Sequence, residues 1–185
     1  AFAMVDHPGL FSRMTGALAL AGARIRDART YTSKDGYATA VFWIQDAEGR
    51  PYEEARIPRL RQTIARTLKG EVVAREALKD KDRLKRREAA FEVPTRITFD
   101  ASDIYTVVEV DTRDRPGLLH DLTRTLAAAN VYIASAVIAT YGEQAVDSFY
   151  VKDMFGLKFH SESRQRALER RLREAIEQGA ARARG

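Results

Sequence analysis

The sequence predicts an α+β fold: two βαββαβ modules in tandem, each an antiparallel sheet with its helices on one face, in the ferredoxin-like arrangement. Three observations predict it. They are an ordered internal repeat, a change of apolar spacing within each repeat, and turn residues where the spacing changes. In the repeat, Asp6-His7-Pro8-Gly9-Leu10 returns 108 residues later as Asp114-Arg115-Pro116-Gly117-Leu118. At the same offset Thr15 meets Thr123, Leu18 meets Leu126, Ala21 meets Ala129, Ile25 meets Ile133 and Thr32 meets Thr140. After one gap in a loop, Phe42-Trp43-Ile44-Gln45-Asp46 faces Phe149-Tyr150-Val151-Lys152-Asp153, and Leu60, Ile64 and Leu68 fall opposite Leu168, Leu172 and Ile176. An ordered series of this length marks two copies of one unit.

Each copy opens on a strand. In copy two, Ile104 to Val110 alternates and is β-branched, as a half-buried strand should be. In copy one the matching strand reads as cut short, which suggests a piece of a longer chain. The D-x-P-G turn follows. Asp suits a helix cap, Pro its first turn, and Gly a close bend. Leu119, Leu122, Leu126 and Ala129, matched by Phe11, Met14, Leu18 and Ala21, are spaced by three and four residues and predict one buried helical face. Strands are expected at about 131–140 and 145–152 in copy two, and at 23–32 and 37–45 in copy one. A second amphipathic helix is expected at about 162–177 and at 54–68. In copy one, Glu71 to Leu78 is read as the closing strand. Copy two has no such strand, and Val93 to Phe99 is expected to fill its sheet edge, with Pro94 tolerated there. The chain thus divides into a first module at 1–78, a charged linker at 79–92 and a second module at 93–185.

Composition narrows the function. The chain has 185 residues, is 45% hydrophobic and 31% charged, and lacks cysteine, which excludes disulfides and thiolate chemistry. It shows no stretch of the length needed to span a bilayer and no signal peptide, so a cytoplasmic location without membrane contact is expected. The net charge of +5 comes largely from Lys79–Arg87, where six basic residues stand against two acidic ones. Such a run reads as a solvated linker. A nucleic-acid platform would need alternating exposed aromatics, whereas Phe42-Trp43 and Phe149-Tyr150 are adjacent pairs, so at least one of each belongs to the core and no nucleic-acid partner is expected. His7, His120 and His160 form no paired metal motif, and no nucleophile elbow or phosphate loop is present. Asp114 reads as a helix cap and Asp121 as an exposed first-turn acid favoured by the helix dipole. No catalytic or metal-binding residue is assigned. The D-x-P-G-L turn is the feature with a binding logic, because amides at a helix start are unpaired and favour a carboxylate.

At these residues the chain resembles the ACT family, βαββαβ modules that sense amino acids. The motif is Asp114-Arg115-Pro116-Gly117-Leu118-Leu119 at the first strand–helix junction. The likeness is strongest to the C-terminal ACT pair of the PII uridylyltransferase/uridylyl-removing family. It runs through Asp6 to Ser12, Ala17 to Ala23, Tyr105 to Val110, Ala127 to Val131, Ile138 to Gly142 and Asp147 to Val151. The resemblance implies paired modules sharing a continuous sheet, with effectors between them. It implies regulation by glutamine, no catalysis in this segment, and PII and other domains of the parent chain as partners. Mg²⁺ would belong to those other domains. Carried over residue by residue, it implies a ligand site at Asp114, Arg115, Pro116, Gly117, Leu118 and Leu119, with Asn130 and Val131 at the next strand. Copy one offers Asp6, His7, Pro8, Gly9, Leu10, Phe11 and Ala23, but Gly22 stands at the Asn position and His7 replaces Arg115. A dimerisation or docking module without a small ligand is the competing reading, and association into a homodimer stays open.

Overall fold

A computed structural model describes residues 2–5, 9–32, 35, 37–78 and 93–184. Asp6, His7, Pro8 and the expected linker at 79–92 lie outside the described residues. Copy one folds as β1 (Phe2–Val5), α1 (Leu10–Leu20), β2 (Arg24–Thr32), β3 (Tyr37–Gln45), a 3-10 turn (Glu54–Arg56), α2 (Ile57–Leu68) and a short α3 (Ala74–Leu78). Copy two folds as β4 (Arg96–Ala101), β5 (Thr106–Arg113), α4 (Leu118–Ala128), β6 (Tyr132–Tyr141), β7 (Gln144–Lys152) and α5 (Glu162–Arg184).

Among the described residues seven strands join one sheet in the order β1-β3-β2-β6-β7-β5-β4, with every pairing antiparallel. The sheet is continuous because β2 of copy one pairs with β6 of copy two. Among the described residues one ladder pair, Ala28↔Ala136, makes that seam. These two alanines are the same repeat position, so a pseudo-two-fold axis passes between them. The helix layer obeys the same axis: the hydroxyls of Thr15 on α1 and Thr123 on α4, again equivalent residues, lie 3.0 Å apart. Alanine at the seam lets the strands approach closely. Thr30 reinforces one end, its Oγ1 donating to the carbonyls of Ile133 and Ala134 at 3.1 and 2.7 Å.

The cores follow from the spacing. Met14, Ala17, Leu18, Leu60 and Ile64 form one cluster, and Val108, Val110, Leu122, Leu126, Phe149, Leu168 and Leu172 anchor the other. Phe11 and Ala28 of copy one belong to the second cluster, so apolar contact crosses the seam. Phe42 and Phe149 are the core members of their aromatic pairs. The Phe42 ring sits 5.5 Å from that of Phe11, while Trp43 is half exposed.

Two elements differ from expectation. Glu71 to Leu78 is not a strand; residues 74–78 are the helix α3. Ala74 and Leu78 are its buried residues, four apart, which is one helical face rather than one strand face. Ala74 packs against α1 at Gly16, where an added Cβ would fall 2.6 Å from the Ala74 Cβ. Among the described residues copy one therefore contributes three strands, and β1 stands at one end of the sheet order. The second difference is α5, which continues to Arg184 rather than ending near 177. At the other edge, β4 pairs with β5 from Arg96↔Asp111 to Ala101↔Thr106.

Candidate functional site

The turn of copy two starts where β5 ends. The Asp114 amide donates to the Glu143 carbonyl at 2.8 Å and ties the turn to the β6–β7 hairpin. Gly117 then takes a left-handed conformation, φ 74°, which a Cβ would strain, and α4 begins at Leu118. This places Pro116 outside the helix rather than in its first turn. No side chain caps α4, and Asp114 is not its cap. With Gly117 at the cap position, Asp114 sits three residues too early to reach the first-turn amides. Its carboxylate instead crosses the seam to Arg24 of β2, at 2.6 Å. Copy one repeats the backbone: Gly9 precedes α1 with φ 86°.

Arg115 and Asp121 form a buried ion pair, so Asp121 is not the exposed dipole-favoured acid that its position suggested. Arg182 near the end of α5 donates to both Asp121 oxygens, at 2.9 and 3.1 Å. The cause is the length of α5, whose last turns cover the start of α4. Gly179 permits that approach, since a Cβ there would fall 1.6 Å from the Arg115 guanidinium. The other guanidinium nitrogen of Arg115 donates to the Pro116 carbonyl at 3.1 Å.

Asn130 is exposed and left-handed, φ 55°, the one non-glycine residue with positive φ among those described. It closes α4 as a Schellman cap: the amides of Val131 and Asn130 donate to the carbonyls of Leu126 and Ala127, both at 3.0 Å. Copy one closes α1 identically. Ala23 donates to Leu18 at 2.9 Å, and Gly22, φ 71°, donates to Ala19 at 3.0 Å. The Asn-to-Gly difference between the copies is thus two residues suited to one backbone conformation. Val131, Ala23, Leu118, Leu10 and Phe11 are buried core residues, Leu119 is half-buried and Pro116 is exposed.

The fold adds residues that the sequence reading assigned no role. Asp147 lies on β7, between Val110 of β5 and Ile138 of β6, on the inward face shared with Ala145, Phe149 and Val151. It is 2% exposed. Its Oδ1 has no partner among the described residues, while the carboxylate accepts the Ala139 amide. Burial, and then the Asp114 charge, push its pKa up to about 8. An acid at an inward position of an alternating strand is a visible sequence signal, but its nearness to Asp114 is not. Arg24 likewise enters only through the seam. His120 is buried at the helix interface, its Nδ1 2.9 Å from the Ser12 carbonyl, and burial lowers its pKa. Among the described residues no three His, Asp or Glu side chains gather to hold a metal ion.

A family model described as the ACR family N-terminal ACT domain matches residues 101–179. Residues 101–179 are an ACT domain. Over 184 residues, 98% of its length, the chain is 74% identical to a bifunctional uridylyltransferase/uridylyl-removing enzyme of Ruegeria pomeroyi and 73% identical to that of Cereibacter sphaeroides. It is 46% identical to the Rhodospirillum rubrum enzyme over 176 residues, 93% of the chain. It spans about a fifth of the length of these relatives: 20% of the first two and 18% of the third. Two repeated modules share one sheet, and the second of them is the matched ACT domain. No helix among the described residues is long and apolar enough to cross a membrane.

Proposed function

We propose that this ACT pair is the effector-binding, regulatory segment of a uridylyltransferase/uridylyl-removing enzyme, with glutamine as its effector. The site is where the copy-two turn meets β2 of copy one. The observation that carries this reading is the Arg24–Asp114 pair, which crosses the module seam. A ligand seated there touches both modules. Regulation requires that an effector bind two arrangements of the protein unequally, and a contact that spans the seam between the modules supplies that dependence.

Glutamine fits the chemistry. Its carboxylate suits the uncapped amides at the start of α4. Its side-chain amide needs both an acceptor and a donor, and a site satisfying both discriminates against analogues that leave buried polar groups unpaired. By this reading, uridylyl addition to and removal from the PII signal protein, and the Mg²⁺ that goes with them, belong to other domains of the longer chain. Calorimetric titration of the chain with glutamine, glutamate and other amino acids tests it. Glutamine should bind with the highest affinity. A folded chain that takes up no amino acid at millimolar concentration would point to a docking module instead.

A further inference from the structure

One tight turn occurs in both copies, after β3 and after β7, with the same backbone and opposite surfaces. In copy two Asp153 holds it. Its Oδ1 accepts the amides of Phe155 and Leu157, both at 2.9 Å, and its own amide donates to the Leu157 carbonyl at 2.8 Å. Gly156, φ 75°, donates to the Asp153 carbonyl at 3.0 Å. In copy one Asp46 accepts the amides of Glu48 and Arg50 at 2.9 and 2.8 Å, and its amide donates to the Arg50 carbonyl at 2.9 Å. Gly49, φ 81°, donates to the Asp46 carbonyl at 3.2 Å. These bonds use the Asp side chain and the main chain, so the turn forms whatever side chains stand at its three other positions. Copy one fills them with exposed Ala47, Glu48 and Arg50, as a solvated turn does. Copy two fills them with Met154, Phe155 and Leu157, which are 56%, 74% and 62% exposed. Ile104, also exposed, stands at the same end of the sheet, because Thr106 pairs with Val151 and its Oγ1 accepts the Phe159 amide.

Large apolar side chains held outward on a bonded turn that does not need them mark a contact surface. Its area sets the kind of partner. Four such side chains, each exposing half to three quarters of its surface, present on the order of 400 Å². A stable pair of free proteins needs about 800 Å² from each partner, so a second copy of this chain is poorly matched. A covalently linked partner needs far less, because the link raises its effective concentration to about the millimolar range. The chain spans about a fifth of the length of the relatives it matches. We propose that the turn from Met154 to Leu157 docks into an apolar pocket on another domain of the longer chain, so that copy two is the side of the pair facing that domain. This docking presupposes that the chain is a segment of the longer enzyme, but not that glutamine is its effector. The docking turn and the Asp114 turn lie at opposite ends of the eight-residue β5, roughly 25 Å apart. Docking therefore leaves the effector turn open.

The test puts the photo-crosslinking residue p-benzoylphenylalanine at Phe155 of the full-length enzyme, irradiated with and without glutamine. In at least one condition the product should migrate as a single chain, and its crosslinked peptide should join residue 155 to a segment outside these 185 residues. Adding Leu157→Glu should cut the yield at least about tenfold, because an ionised carboxylate is strongly disfavoured in an apolar pocket. The same probe at Glu48, the matching position of copy one, should not give this product. A product joining two copies through their 153–157 turns assigns the turn to self-association and overturns the proposal. A product confined to these 185 residues, an equal yield from Glu48, or no product in either condition overturns it as well. Should the probe at Phe155 prevent folding, the probe at Met154 decides by the same outcomes. If calorimetry finds no amino-acid binding, the effector reading fails while the docking reading still stands or falls on the crosslink.

Discussion

At the scale of single residues, the most informative positions are those where backbone or burial conflicts with residue type. Asp147 is the clearest. Burial pushes its pKa from the ordinary carboxylate range up to about 8 in the folded chain. Between those pH values the native state holds a proton that the unfolded chain has released, so stability falls as pH rises through this window and levels off above it. Asp147→Asn should remove that slope and stabilise the ligand-free chain at pH 8 by a few kcal/mol, measured by urea unfolding across pH 4.5–8.5. An unchanged slope would show that Asp147 is ionised in the native state. Asn130 makes a second case. Because its position needs the left-handed region, Asn130→Ala should cost about 1 kcal/mol, while Asn130→Gly should be nearly neutral by the same measurement. At Gly179 the demand is space: a methyl group would fall 1.6 Å from the Arg115 guanidinium. Gly179→Ala should therefore lift α5 off the Arg115–Asp121 pair and destabilise by about 3 kcal/mol or more, the cost of disturbing a buried ion pair. These three positions differ in how readable they are. Asp147 breaks a visible apolar alternation, and Asn130 sits where the repeat offers Gly22. Nothing local flags Gly179, whose importance comes from an arginine 64 positions away.

At the scale of elements, long periodic segments follow from their own pattern. The apolar stripe from Leu118 to Ala129 and the alternation from Ala145 to Lys152 leave little choice of structure, and α4 and β7 match them. Short apolar segments do not decide for themselves. Glu71 to Leu78 carries enough β-branched and aliphatic residues to read as a strand, yet β1 does not take it as a neighbour and α1 offers Gly16 as a contact. The segment buries Ala74 and Leu78 as one helical turn, and its short length gave periodicity little to work with. If α3 packs as described, Leu78→Ala should destabilise by about 2–4 kcal/mol, whereas Val73→Ala, on an exposed residue, should be close to neutral. A strand at this place would reverse that pattern. At the helix interface, one of the hydroxyls of Thr15 and Thr123 donates to the other. A double-mutant cycle with Thr15→Val and Thr123→Val should therefore show a coupling of roughly 0.5–1.5 kcal/mol.

At the scale of the whole molecule, the two modules are one structural unit. The sheet runs through the seam, Phe11 and Ala28 of copy one sit in the core of copy two, and α1 and α4 meet at equivalent residues. Scanning calorimetry should accordingly give a single transition whose calorimetric and van't Hoff enthalpies agree. Two separated transitions would show that the modules unfold independently and that the seam is weak. Glutamine, by the proposal made here, should raise the midpoint of that single transition in proportion to the logarithm of its concentration, because it binds only the assembled seam.

The sequence by itself determined the repeat, the α+β class, the order of the long elements and the turn around which a ligand site is argued. These are local properties: apolar period, turn chemistry and self-similarity are written along the chain within a few residues of one another. The tertiary structure alone decided that Asp114 faces Arg24 rather than capping α4, that Arg115 and Asp121 pair beneath α5, and that residues 74–78 coil as a helix. It also decided that Asp147 is buried on β7, with one oxygen unpartnered among the described residues. Each of these depends on which groups the fold brings face to face across the seam or between helices. A charge or a short apolar segment takes its state from that opposing surface, and the linear spacing of residues does not contain it.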